Sequence, residues 1–146
     1  MSYGIYVLTA AHGEVKNGMI ASWVSQVSYE PPLIMVAVHP NRYCHQLIKK
    51  SGFFALHLLR RDQKDYIRRF KGQDPEAKFE SLAWFPGKRG CPILRACIGY
   101  LGCEVRESLE PGNHTLFIGE VVEAGIFEAG APLSTFDYEG FYLGKA

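Results

Sequence analysis

Apolar and polar residues alternate along most of this chain with a period close to two, which predicts strands joined by tight turns. Gly4–Ala10 (GIYVLTA) is β-branched and aromatic and opens the pattern. His12-Gly13 and Asn17-Gly18 bracket a short polar connection, a hairpin signal that returns the chain antiparallel. Asn17–Pro32 (NGMIASWVSQVSYEPP) interleaves apolar and small polar side chains as a strand and stops at Pro31-Pro32. Leu33–His39 (LIMVAVH) is a near-continuous apolar run between prolines and predicts a buried central strand. Asn41 then stands at a helix N-cap, and Tyr43, Leu47 and Ile48 give a short helix an apolar face up to Ser51-Gly52. A strand over Phe53–Leu59 follows, then a helical pattern over Arg61–Phe70 capped by Asp62. Lys71–Gly90 is polar, punctuated by Gly and Pro, and reads as a long surface excursion. Ala96–Leu109 and Thr115–Phe127 form a second hairpin across Glu110–Asn113, and the aromatic segment Pro132–Leu143 closes the chain. The sum is a mainly β single domain over residues 1–146, six or seven strands with two short flanking helices. Its economical form is a closed or half-closed antiparallel barrel.

Composition narrows the classes. At 146 residues the chain buries a core large enough to need neither disulfide nor metal. Sixteen basic against fifteen acidic residues leave a net charge of +1, so no global field draws it to nucleic acid or an acidic membrane. Cys44, Cys91, Cys97 and Cys103 contain no C-x-x-C pair and no zinc spacing, so they read as reduced thiols, and no metal site is expected. Neither a signal segment nor an apolar window of about 18 residues is present, and a soluble cytoplasmic protein is expected.

The common catalytic signatures, G-x-S-x-G, H-E-x-x-H, the Walker loop and G-x-G-x-x-G, are absent from the sequence, which points to a cofactor for any difficult step. Small hydroxyl residues beside Met19, Ile20 and Trp23 suit a planar, phosphate-bearing ligand. Asn41 and Arg42 at a helix start would clamp its phosphate, since the dipole and free N–H groups there favour an anion. His57 reads as a hydrogen-bonded strand residue, His12 as an exposed turn residue, and His114 as a hairpin residue leaning over a cleft. The basic cluster between Arg60 and Lys71 reads as a solvated helix face.

Five collinear pieces, GIYVLTA, NGMIASWVSQVSYEPPLIMVAV, HPNRYCHQLI, FFALHLL and GNHTLFIGEV, together resemble the flavin-reductase-like, FMN-binding split β-barrel family from about Gly4 to Tyr142. The resemblance implies a homodimeric antiparallel split β-barrel holding FMN noncovalently, with NADH or NADPH as hydride donor. It implies that Met19, Ile20, Ala21, Ser22, Trp23, Gln26, Val27 and Ser28 line the isoalloxazine and ribityl chain, largely through backbone groups. Ser28 with Asn41, Arg42, Tyr43 and His45 would lie toward the phosphate, and His114 near flavin and nicotinamide. Backbone N–H groups of an open strand stabilise negative charge on a reduced flavin without a titrating side chain. Two departures stand out: Ile20 replaces a threonine frequent in the family, and Trp23 a smaller serine, where it either packs in the core or stacks on the flavin.

The implied activity is NAD(P)H-dependent flavin reduction, with electrons leaving on free flavin or an acceptor. The alternative is an FMN electron-transfer protein, because G-x-Y-V-L-T and W-x-x-Q-V-S resemble members working beside rubredoxin-like or diiron flavoprotein partners. Such a partner would be a separate protein, since this chain has no rubredoxin cysteine pairs. A third reading is a relative binding another flat ligand, haem or pyridoxal phosphate.

Overall fold

Alternation along the strands builds a curled sheet in the computed structural model, which describes residues 1–138. Strands β1 (Tyr6–His12), β2 (Val15–Ala21), β3 (Val24–Ser28), β4 (Leu33–Val38) and β5 (Phe53–Leu58) precede a small separate hairpin, β6 (Trp84–Pro86) with β7 (Pro92–Leu94). The long strands β8 (Gly99–Leu109) and β9 (Thr115–Ile126) follow. The main sheet has seven strands in the order β2-β1-β5-β8-β9-β4-β3, all antiparallel. Its edge strands β2 and β3 are consecutive in the chain, and Met19 and Ala21 of β2 share one core with Ile34 and Val36 of β4. The sheet therefore curls until its ends meet without a ladder between them, a barrel split between β2 and β3.

Helix α1 (Tyr43–Ser51) packs Cys44, Leu47 and Ile48 into that core. Gly52 ends it in the left-handed conformation at φ 69°, its N–H donating to the Ile48 carbonyl. Strand β1 is buried on both faces. Leu8 and Ala10 join the inner core, whereas Val7 joins a second core with Ile67, Phe70 and Phe79. The last three come from helices α2 (Asp65–Lys71) and α3 (Pro75–Phe79), which cover the outside of β1 and β2. Among the described residues three short α-helices thus flank the sheet where two were expected. No helix among the described residues is long and apolar enough to cross a membrane.

Several sequence expectations need correction. The first hairpin turns at Gly13-Glu14, with His12 paired to Val15, and Asn17-Gly18 lies inside β2. Gly18 is required there by packing, because a Cβ would stand 2.7 Å from the Phe70 ring. Asn17–Pro32 is two strands, broken at Ser22-Trp23 where the chain crosses the split. The N-cap of α1 is Arg42 instead of Asn41, and it makes no side-chain cap hydrogen bond. Helix α2 starts at Asp65 because the residues before it are used otherwise: Asp62 pairs with Arg60, and buried Gln63 bonds Arg60 N and the Ala96 carbonyl. The excursion after Lys71 contains α3, whose start is fixed by Asp74 accepting from Glu76 N–H and by Pro75. Strand β4, expected as a buried central strand, is instead next to the edge strand β3, and only its alternate residues Ile34, Val36 and Val38 are buried. Of the closing segment, Gly140, Phe141 and Tyr142 lie outside the described residues.

Candidate functional site

The start of α1, the middle of β2 and the end of α2 converge on a cleft of about 360 Å³. From β2 come Asn17, Gly18 and Met19, and from the entry to α1 come Asn41, Arg42 and Tyr43. Lys71 and Gln73 approach from the end of α2, and Lys78 from α3. Lys78 is buried, and its Nζ donates to Asn17 Oδ1 at 2.9 Å and to the Gly18 carbonyl at 2.8 Å. An ammonium has three N–H donors, so one is left over for a ligand. Burial pulls the Lys78 pKa down, with Cys44 opposing and Arg42 adding to the shift. The Cys44 thiol beside it is pushed up to about 12 by burial and stays neutral at physiological pH. Three cations, Arg42, Lys71 and Lys78, therefore line a cleft to which no described carboxylate contributes. The first turn of α1 carries no acidic residue either, so the dipole there adds to the attraction for an anion. The donor set fits a phosphate monoester.

Three residues beyond Met19 the backbone crosses the split. Ser22 is buried, and its Oγ is the only described buried side-chain N or O atom without a hydrogen-bond partner. A buried hydroxyl left unpaired costs about 1–3 kcal/mol, which a ligand acceptor or donor would recover. Next to it, Trp23 accepts from Ala37 N–H through its carbonyl at 3.0 Å. Its half-buried ring lies 4.6 Å from the His114 ring at 46°. The His39 ring meets His114 edge-on, at 5.2 Å and 90°. His39 Nδ1 accepts from Asn41 N–H at 3.1 Å, which connects this aromatic group to the start of α1. His114 itself is held by Asn113 Oδ1 at 2.8 Å.

The structure thus brings together Met19, Asn41, Arg42 and Tyr43 in one cleft, and Trp23 with His114 beside the split. Ile20 and Ala21 are buried on opposite faces of β2, in the second and first cores. Gln26 and Val27 are exposed on edge strand β3, and Ser28 sits at its bulge, so these three are not gathered into the cleft. His45 turns into the core, where Nε2 bonds Thr115 Oγ1 at 2.7 Å and the ring packs on Phe117. Burial holds its pKa below the ordinary imidazole value. Lys71, Gln73 and Lys78 were not anticipated. Asp74-Pro75 is a helix-start signal that would have placed Lys78 on an element.

The flavin reductase like domain model matches residues 1–142. The chain belongs to this flavin reductase family. The domain is 34% identical over 135 residues to diflavin flavoprotein A 1 of Synechocystis, covering 88% of this chain but 23% of that protein. It is 31% identical over 141 residues to the reductase subunit HsaB of a flavin-dependent monooxygenase from Mycobacterium tuberculosis, covering 97% and 75%. It superposes with a TM-score of 0.82 on the NADH:FAD oxidoreductase SgcE6 of Streptomyces globisporus, solved in complex with NAD and FAD fragments. That pair shares 28% identity over 92% of this chain and 81% of the other. The chain thus spans about a quarter of the diflavin flavoproteins that it matches.

Proposed function

We propose that this domain is an NAD(P)H-dependent flavin reductase that binds FMN and passes electrons to free flavin or a separate acceptor protein. The observation that carries the reading is the cationic cleft joined through β2 to the unpartnered Ser22 hydroxyl. When bound, the flavin supplies the two-electron redox chemistry between NAD(P)H and the acceptor. The protein's task is then binding, orientation and exclusion of water. Arg42, Lys71 and Lys78 hold the phosphate, with Asn41 and Tyr43 completing that end. The backbone around Ser22-Trp23 offers polar groups to the flavin, and the Trp23, His114 and His39 rings wall off the reacting side. Family members named as NADH:FAD oxidoreductase or monooxygenase reductase subunit support this reading.

A second copy is the proposed partner for the outer face of β4 and β9. There Met35 pairs with Ile118 and Ala37 with Leu116, while Leu109 of β8, opposite Leu116, is 46% exposed. A cytoplasmic location is proposed because all four cysteines are free thiols. The likeness to diflavin flavoprotein A 1 favours, as a second reading, an electron carrier for a flavoprotein partner.

The deciding experiment measures NADH and NADPH oxidation by purified protein supplied with FMN. Turnover well above that of free FMN in buffer is expected. Equal rates would overturn the reductase reading, and a flavin-retaining protein inert to both nucleotides would favour the electron carrier.

A further inference from the structure

Strand β2 is an edge of the sheet, hydrogen-bonded to β1 on one side only. At Gly18 the backbone groups are taken up by side chains: its N–H donates to Asn17 Oδ1 at 2.7 Å, and its carbonyl accepts from Lys78 Nζ at 2.8 Å. Lys78 Nζ donates to the same Asn17 Oδ1 at 2.9 Å, which closes a ring of three hydrogen bonds. Asn17 is 3% exposed and Lys78 7%, so the ring is buried at the wall of the cleft.

Both oxygens in that ring are neutral. Among the described residues no carboxylate forms an ion pair with Lys78, and none lines the cleft. The Cys44 thiol beside it keeps its proton, and Arg42, which also acts on it, has the same sign of charge. A cation held by dipoles alone keeps its net charge inside the fold, at a cost in stability that an arriving anion offsets. An aspartate at position 17 would accept the same two hydrogen bonds and also supply the counter-charge. Closing the sheet edge therefore does not by itself account for an amide here. We propose that Asn17 is a positioning residue for the ligand's phosphate: its neutral oxygen fixes Lys78 against the cleft while leaving the ammonium charge to the anion. The proposal rests on the flavin reading of the cleft and adds to it a residue that acts through another side chain.

FMN and riboflavin differ only by the phosphate. Both are titrated by fluorescence into the full chain and into Asn17→Asp, Asn17→Ala, Lys78→Met and the Asn17→Ala, Lys78→Met double variant, with a flavin-free thermal melt of each. The wild type is expected to prefer FMN. Asn17→Asp should melt no lower than the wild type, since both hydrogen bonds remain, yet lose about tenfold of the FMN preference with riboflavin affinity unchanged. Asn17→Ala should weaken FMN binding, and combining it with Lys78→Met should cost nothing beyond Lys78→Met alone, because residues acting as one unit are not additive. Asn17→Asp carries the test where Asn17→Ala does not fold. Retention of the full FMN preference by Asn17→Asp, a melt of that variant below the wild type, or additive losses in the double variant would overturn the positioning role. A wild type that binds FMN and riboflavin equally overturns instead the phosphate placement beneath the proposal, and one that binds neither overturns the flavin reading itself.

Discussion

Ser22 and His57 show opposite ways of burying a polar side chain. His57 is fully buried between two backbone groups, its Nδ1–H donating to the Val7 carbonyl at 3.0 Å and its Nε2 accepting from Leu94 N–H at 3.1 Å. Both nitrogens are used by the neutral ring, and burial pushes its pKa down to about 4 from 6.5. The unfolded chain therefore binds the proton first. Stability from this residue is complete above the unfolded value and declines as pH falls from 6.5 toward 4, by roughly 3 kcal/mol in all. Thermal melts across that window should show a falling Tm, and a flat profile would refute the assignment. Ser22 has no such partners, so Ser22→Ala removes an unpaired hydroxyl and should raise the ligand-free Tm. The same change should weaken FMN binding by about 1–3 kcal/mol. Fluorescence titration beside a melt tests both signs; a drop in Tm with unchanged affinity would mean that the hydroxyl serves the fold alone.

At the scale of elements, the strands were legible from β-branched and aromatic runs bounded by turn residues, and β8 and β9 came out within a few residues. The break between β2 and β3 was hidden, since Ser22-Trp23 holds neither Gly nor Pro and the crossing is imposed by closure of the sheet. Asn17-Gly18 misled for the converse reason: a turn dipeptide is used for its lack of bulk under Phe70 and for an amide oxygen under Lys78. The start of α1 was legible, yet its cap was one residue off because the Arg42 carbonyl accepts from the His45 N–H at 3.0 Å. His45 could have been placed inward from its spacing to Ile48, the i, i+3 neighbour on the buried stripe. Lys78 could not have been found from a local pattern. Its role comes from α3 lying across β2, a contact between segments about sixty residues apart.

The whole molecule combines a two-sided strand, β1, with a sheet whose other side is covered only in part. Helices α2 and α3 close one outer surface over β1 and β2, whereas no described element is placed over the outward residues of β4 and β9. Met35, Ala37, Leu116 and Ile118 are therefore half-buried, and they run continuously across two paired strands. A face of this kind suits the second copy proposed above. Ile118→Lys should convert a dimer to a monomer in light scattering while leaving the fold intact, because the side chain points away from the core. A wild-type chain already monomeric at high concentration would remove this surface from consideration.

The four cysteines acquire a meaning at this scale as well. All are buried, and burial raises Cys44, Cys91 and Cys103 to about 12 and Cys97 to about 11. The oxidisable form of cysteine is the thiolate. In the proposed reductase these sulfurs stay protonated and out of solvent, so peroxide formed at a bound flavin meets no thiolate.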